Sequence, residues 1–140
     1  MKSNLALFAG LLVFVGLFAF FVAGNNNQIA SFVIDTTDHA LTLELDKTFF
    51  WSDWNVELTL RNNPKCQRRH ILESSKEKSP TLEVYFPEPN FFIFRQSNHW
   101  YVADMKSCRF QEYRKPPPEP GRLIGTFQKE ANGYEFIKKP

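Results

Sequence analysis

The sequence predicts an all-β domain, a small antiparallel sandwich or barrel built as a meander, preceded by one N-terminal transmembrane helix. Three observations predict it. Residues 5–24, LALFAGLLVFVGLFAFFVAG, carry no charged side chain. After Gly24 the apolar residues recur with a period of two, and no stretch has a convincing helical period. Turn-forming residues interrupt that alternation at close intervals, which suits roughly eight to ten short strands.

The apolar segment sets the topology. In a helix rising about 1.5 Å per residue it spans about 30 Å, the thickness of a bilayer's hydrocarbon core. It has no polar face, as a soluble amphipathic helix would. Lys2 precedes it, and no Lys or Arg follows before Lys47. The positive-inside rule therefore places the N-terminus in the cytoplasm and the remainder across the membrane. The rival is a signal peptide cut near Val22-Ala23-Gly24, although its apolar run exceeds the roughly 7–15 residues usual for one. Both readings export the domain. The chain thus divides into an anchor or uncleaved signal at 1–24, a polar spacer at 25–28, and an extracytoplasmic β domain at 29–140.

Within that domain Ile29 to Asp35 reads as a first strand, and Thr36-Thr37-Asp38 as a turn. Leu41, Leu43 and Leu45 alternate with Thr42, Glu44 and Asp46, as in a strand with one wet face. Lys47 to Asp53 is an aromatic-bearing loop. Trp54, Val56, Leu58 and Leu60 mark the clearest strand, which Asn62-Asn63-Pro64 ends. Thr81 to Phe86 is a strand stopped by Pro87-Glu88-Pro89. Phe91–Arg95 and His99–Ala103 form a hairpin around Ser97-Asn98, and Cys108 to Tyr113 is a further short strand. Residues 115–120, KPPPEP, cannot join a ladder and read as a polyproline II connector. Leu123–Phe127 and Tyr134–Ile137 make a last hairpin.

The exported domain has two cysteines, Cys66 and Cys108. In an oxidising compartment they are expected to pair. Cys66 with His70, and His99 with Cys108, offer a competing Cys2His2 zinc set, but the second spacing is wrong for a compact metal knuckle. A Cys–His nucleophile would need a reduced thiol and an orienting third group.

The formal net charge is +2, which gives no bulk argument for nucleic acid. Charge is uneven along the chain. Asp35, Asp38, Glu44, Asp46, Asp53 and Glu57 precede a basic run of Arg61, Lys65, Arg68 and Arg69. The plain reading is that these segments are neighbours whose charges pair or are solvated. The sharper reading is a disulfide-pinned basic patch of Lys65, Arg68, Arg69 and His70 that meets an acidic partner. Trp51, in the Trp51-Ser52-Asp53-Trp54 loop, joins these four as a partner-contact residue, since Trp and Arg dominate interface hot spots.

The expected function is an accessory module on the membrane's outer face that binds an envelope protein partner. The expected alternative is a small apolar ligand held in an aromatic cavity lined by Phe91, Phe92, Phe94, Trp100 and Tyr101. A third reading, a hydrolase-like enzyme using Asp53, His70, His99 and Asp104, has no spacing that demands it. No cofactor, metal or nucleic-acid partner is expected.

The runs Trp54-Asn55-Val56-Glu57-Leu58, Cys66-Gln67-Arg68-Arg69-His70 and Trp100-Tyr101-Val102-Ala103, with Cys108, resemble those of short anchored or exported proteins of betaproteobacteria. The resemblance covers most of the exported part. It implies a bacterial envelope location, inner membrane and periplasm, and supplies neither an activity nor catalytic residues.

Overall fold

The computed structural model describes residues 27–140. The predicted transmembrane segment and Asn25-Asn26 of the spacer lie outside the described residues. The described chain forms ten strands and no helix. They are β1 (Asn27–Val33), β2 (His39–Asp46), β3 (Asn55–Asn62), β4 (Cys66–Ile71), β5 (Leu82–Glu88), β6 (Phe91–Gln96), β7 (His99–Asp104), β8 (Arg109–Tyr113), β9 (Arg122–Glu130) and β10 (Gly133–Lys138). Two antiparallel sheets result. A small one has the order β1-β2-β3-β4, and a large one the order β10-β9-β5-β6-β7-β8.

The period of two builds the core. In the small sheet Leu41 faces Leu60, Leu43 faces Leu58 and Leu45 faces Val56, and all six are buried. In the large sheet Val84 pairs with Phe94, Phe94 with Tyr101, Phe92 with Ala103 and Leu82 with Phe127. These residues join the small-sheet leucines in one buried cluster, so the two inner faces share a core. No ladder joins the sheets.

Each lateral seam is closed differently. Along one, β1 lies beside β10, and Phe32 stacks on Phe136 at 4.2 Å between centroids. Gly125 makes room there. A Cβ on it would lie 2.4 Å from the Phe136 ring. Along the other seam, Cys66 of β4 is bonded to Cys108 just before β8. His70 of β4 stacks on Phe110 of β8 at 4.2 Å, and the Asn62 side chain donates to the Met105 carbonyl at 3.1 Å.

The two ends also differ. We call the end where β1 begins the near end. There the 72–80 segment is pinned over the core by three large-sheet side chains. Gln96 donates to the Glu73 carbonyl (2.7 Å), the Tyr101 hydroxyl accepts from the Glu73 amide (3.1 Å), and Tyr134 donates to the Pro80 carbonyl (2.8 Å). Burial pushes the Tyr134 phenol up to about 12.

Three features depart from the sequence reading. β1 starts at Asn27 rather than Ile29, because Asn27 and Gln28 continue the ladder opposite Asp46 and Leu45. Cys66–Ile71, a run to which the sequence assigns no strand, is an edge strand paired to β3. The meander holds from β1 to β4 and from β5 to β8 but fails at the proline-rich link. β9 returns to pair with β5 at the opposite side of the large sheet. Extended at about 3.1 Å per residue, the chain between Tyr113 and Arg122 reaches roughly 28 Å. Four strand spacings of about 4.8 Å, with a shift along the sheet, need roughly 23 Å. A polyproline segment suits that crossing, since it can neither pair nor shorten into a helix.

Two predictions follow from the seams and the pinned segment. Replacing both Cys66 and Cys108 by Ser reopens a connection closed over 42 residues. In the chain-entropy model that costs about 4 kcal/mol, with practice nearer 2–4. The urea midpoint of the oxidised protein should fall to that of the double variant when reductant is added. The second concerns alkali. The Tyr134 phenol titrates near 10 when unfolded and about 12 when folded. The folded state therefore holds its proton more tightly, and this contribution is intact below pH 10 and lost towards pH 12. Urea midpoints measured at pH 9 and pH 11.5 should fall less steeply in Tyr134→Phe than in the parent.

Candidate functional site

The far end, opposite the pinned segment, is open. Proline removes a donor at Pro87, and β5 is irregular on both sides there. Its pairing with β6 shifts between Tyr85 and Glu88, and its pairing with β9 shifts between Val84 and Tyr85. The second shift leaves Ile124 without a partner across the ladder. Such bulges bend a strand away from its neighbours. Gly121, at φ 86°, lets the chain enter β9 close to Pro87, where a Cβ would lie 2.4 Å from the proline Cα.

The result is a cleft of about 430 Å³ between the sheets. Its apolar wall comes from Phe32 and Ile34 on the small-sheet side and from Phe86, Phe92, Leu123 and Ile124 on the other. Phe86 and Phe92 pack at 5.3 Å between centroids. The polar part of the rim is cationic. Arg122, Lys138 and Lys139 contribute, with Pro140 beside them, and no Asp or Glu side chain lines the cleft. The Lys138 ammonium lies 5.9 Å from the Phe32 ring centroid. The size falls in the range of small-ligand sites, which pair an apolar wall with a few polar groups.

The aromatic cavity expected from sequence is not where those residues lie. Phe94 and Tyr101 are core residues, and only Phe92 of the five lines the cleft. Phe91 and Trp100 sit at outward positions of the large sheet, and the Arg95 guanidinium lies over the Trp100 ring at 5.4 Å. The cleft itself draws on β1, β5, β6, β9 and β10. Its residues meet only through long-range pairing, and the one local signal was Pro87 interrupting a strand.

The structure separates the five expected partner-contact residues. Trp51 is at the near end. Lys65 is in the turn between β3 and β4, at the far end. Along β4 the side chains alternate. Arg69 lies on the outer face, 3.2 Å from Glu57 and 3.6 Å from Glu44. The acidic and basic runs are thus neighbours, and Arg69 separates two carboxylates that face each other directly across β2 and β3. His70 turns inward onto Phe110. Burial, and then the Arg68 charge, hold its imidazole below the ordinary histidine range. Arg68 is exposed and has no carboxylate within 4 Å among the described residues.

The remaining chemistry is dispersed. His99 bonds Glu112 at 3.0 Å, and Asp104 accepts from the Ser107 hydroxyl at 2.6 Å. That bond, ahead of the backbone amides at 106 and 107, lowers the Asp104 carboxyl. None of Asp53, His70, His99 and Asp104 hydrogen-bonds another of the four. Both thiols are consumed by the disulfide, so the Cys2His2 and Cys–His readings have no thiolate left to ligate or attack. No family model, curated protein or solved structure matches the chain.

The His70 geometry makes a prediction for mild acid. Its folded pKa is depressed, so the unfolded chain binds the proton more readily, and stability is lost as pH falls below the usual histidine value near 6.5. Between pH 7.5 and pH 5.5 the thermal midpoint should drop less in His70→Phe than in the parent.

Proposed function

We propose that this chain is a membrane-tethered, extracytoplasmic binding module that holds a small apolar anion in the far-end cleft. The cleft carries this reading: an apolar wall of aromatic and branched side chains, with a rim whose side-chain charges are all positive. An acyl carboxylate is the simplest ligand of that description, with its chain against Phe32, Phe86 and Phe92 and its head near Arg122 and Lys138. The tether is residues 5–24, in an inner membrane with the β domain in the periplasm. The disulfide is compatible with such an oxidising space.

A second reading is favoured by one observation. Arg68 is exposed on an edge strand without a carboxylate partner, and Lys65 is exposed in the turn that opens the strand. This edge suits an acidic protein partner, by charge-assisted hydrogen bonds. Arg69 and His70 are engaged within the fold and belong to such a surface only as its supports.

The test uses the full chain in nanodiscs, with octanoate as probe and octanol as its uncharged counterpart. Octanoate should shift the methyl resonances of Ile34, Leu123 and Ile124 saturably. Binding should weaken roughly ten- to hundred-fold in Arg122→Glu/Lys138→Glu, consistent with loss of a charge-assisted contact of about 1.5–3 kcal/mol. Equal response to octanol and octanoate, or shifts spread evenly over the domain, would contradict the assignment.

A further inference from the structure

The loop joining β2 to β3 presents three consecutive aromatic side chains to solvent. Phe49, Phe50 and Trp51 are 44%, 61% and 63% exposed. Isolated exposed hydrophobics are ordinary, but contiguous apolar patches mark interaction surfaces. These three form one unit. Phe49 stacks parallel on Trp51 at 4.8 Å, and Phe50 meets Trp51 edge-on at 4.7 Å.

The unit is held from beneath. Ser52 closes the turn three ways. Its amide donates to the Phe49 carbonyl (3.0 Å), its hydroxyl donates to the same carbonyl (2.7 Å), and that hydroxyl accepts from the Phe49 amide (3.0 Å). Trp54 then plugs the loop into the core and bridges to Ser75. The aromatics are thus displayed on a fastened turn.

Their position identifies what they meet. Asn27 pairs with Asp46, the residue immediately before the loop. The apolar run 5–24 ends only three residues before Asn27. At no more than about 3.6 Å per residue, a link of three residues reaches roughly 11 Å at most. Any bilayer that holds residues 5–24 therefore lies against the near end. Ile29 and Ile71, 58% and 79% exposed, are on the outer face of the small sheet near the same end. Asp46, the last residue of β2, and Asp53 flank the loop, and both are exposed.

We propose that Phe49, Phe50 and Trp51 form a membrane-docking tip that enters the interfacial layer of the bilayer that anchors the chain. The proposal rests on the reading of residues 5–24 as a tether and adds a second attachment. Trp51 suits the headgroup region, where its apolar ring and its indole N–H are both accommodated, and Phe49 and Phe50 add apolar area beside it. Two attachments fix the domain's orientation where one would leave it swivelling. The far-end cleft then faces away from the membrane.

The test uses the full chain in phosphatidylethanolamine–phosphatidylglycerol vesicles with acyl chains brominated near the headgroup. Tryptophan quenching is compared between the parent and Trp51→Ser, and alkaline carbonate extraction is run on both. The proposal expects a carbonate-resistant chain whose quenching is largely lost in Trp51→Ser. In Phe49→Ser/Phe50→Ser, which keeps Trp51, the quenching should be reduced. A carbonate-resistant chain with equal quenching in the parent and Trp51→Ser overturns the docking tip and leaves the tether standing. A chain released by carbonate overturns the tether and the docking tip together.

Discussion

The apolar contact between two sheets that share no ladder is the interaction on which the rest of this structure depends. Hydrogen bonds hold each sheet together internally, but only side chains hold one sheet to the other. Leu41, Leu43, Leu45, Val56, Leu58 and Leu60 supply one face and Leu82, Val84, Phe92, Phe94 and Phe127 the other. Truncating one such residue to alanine typically costs about 2–5 kcal/mol. The exposed pairing of Arg69 with Glu44 and Glu57 belongs to a class worth about 0–1 kcal/mol. Burial therefore decides the architecture. The ion pairs only make the outer face of the small sheet compatible with facing carboxylates.

Where that apolar contact stops, the molecule needs other devices, and the two ends solve the problem differently. At the near end the 72–80 segment is drawn over the core because buried Gln96, Tyr101 and Tyr134 each need a polar partner there. Leaving such groups unpaired would cost about 1–3 kcal/mol apiece. At the far end no segment does this among the described residues. β5 is distorted on both flanks, and the space between the sheets opens onto solvent. The polarity of the domain follows: one end closed and displaying aromatics, the other open and rimmed by cations.

Much of this was legible in the chain. The alternation at 41–45 and 54–60 announced the small sheet's core, and the cysteine pair announced a disulfide, though not that it ties one sheet to the other. The turn at Ser97-Asn98 and the proline connector were also readable, because each is set by local chemistry. β4 was not, because Gln67, Arg68 and Arg69 show no apolar alternation. An edge strand with a wet outer face does not need one. The order of the large sheet was missed for a different reason. Consecutive hairpins predict neighbours, and only the position of the crossing distinguishes β9 beside β5 from β9 beside β8. The cleft was illegible because its walls come from residues as far apart as Phe32 and Ile124, brought together by bulges whose one local mark is Pro87. The five expected contact residues illustrate the same limit. Proximity along β4 suggested one patch, whereas a strand sends successive side chains to opposite faces.

If the two sheets are bound by one shared core, they cannot open separately. Native-state hydrogen exchange across a urea series tests this most directly. The slowest amides of β2 and β3 and those of β5 and β6 should converge on a single opening free energy equal to that of global unfolding. Two distinct plateaus, with one sheet exchanging while the other stays protected, would contradict a shared core.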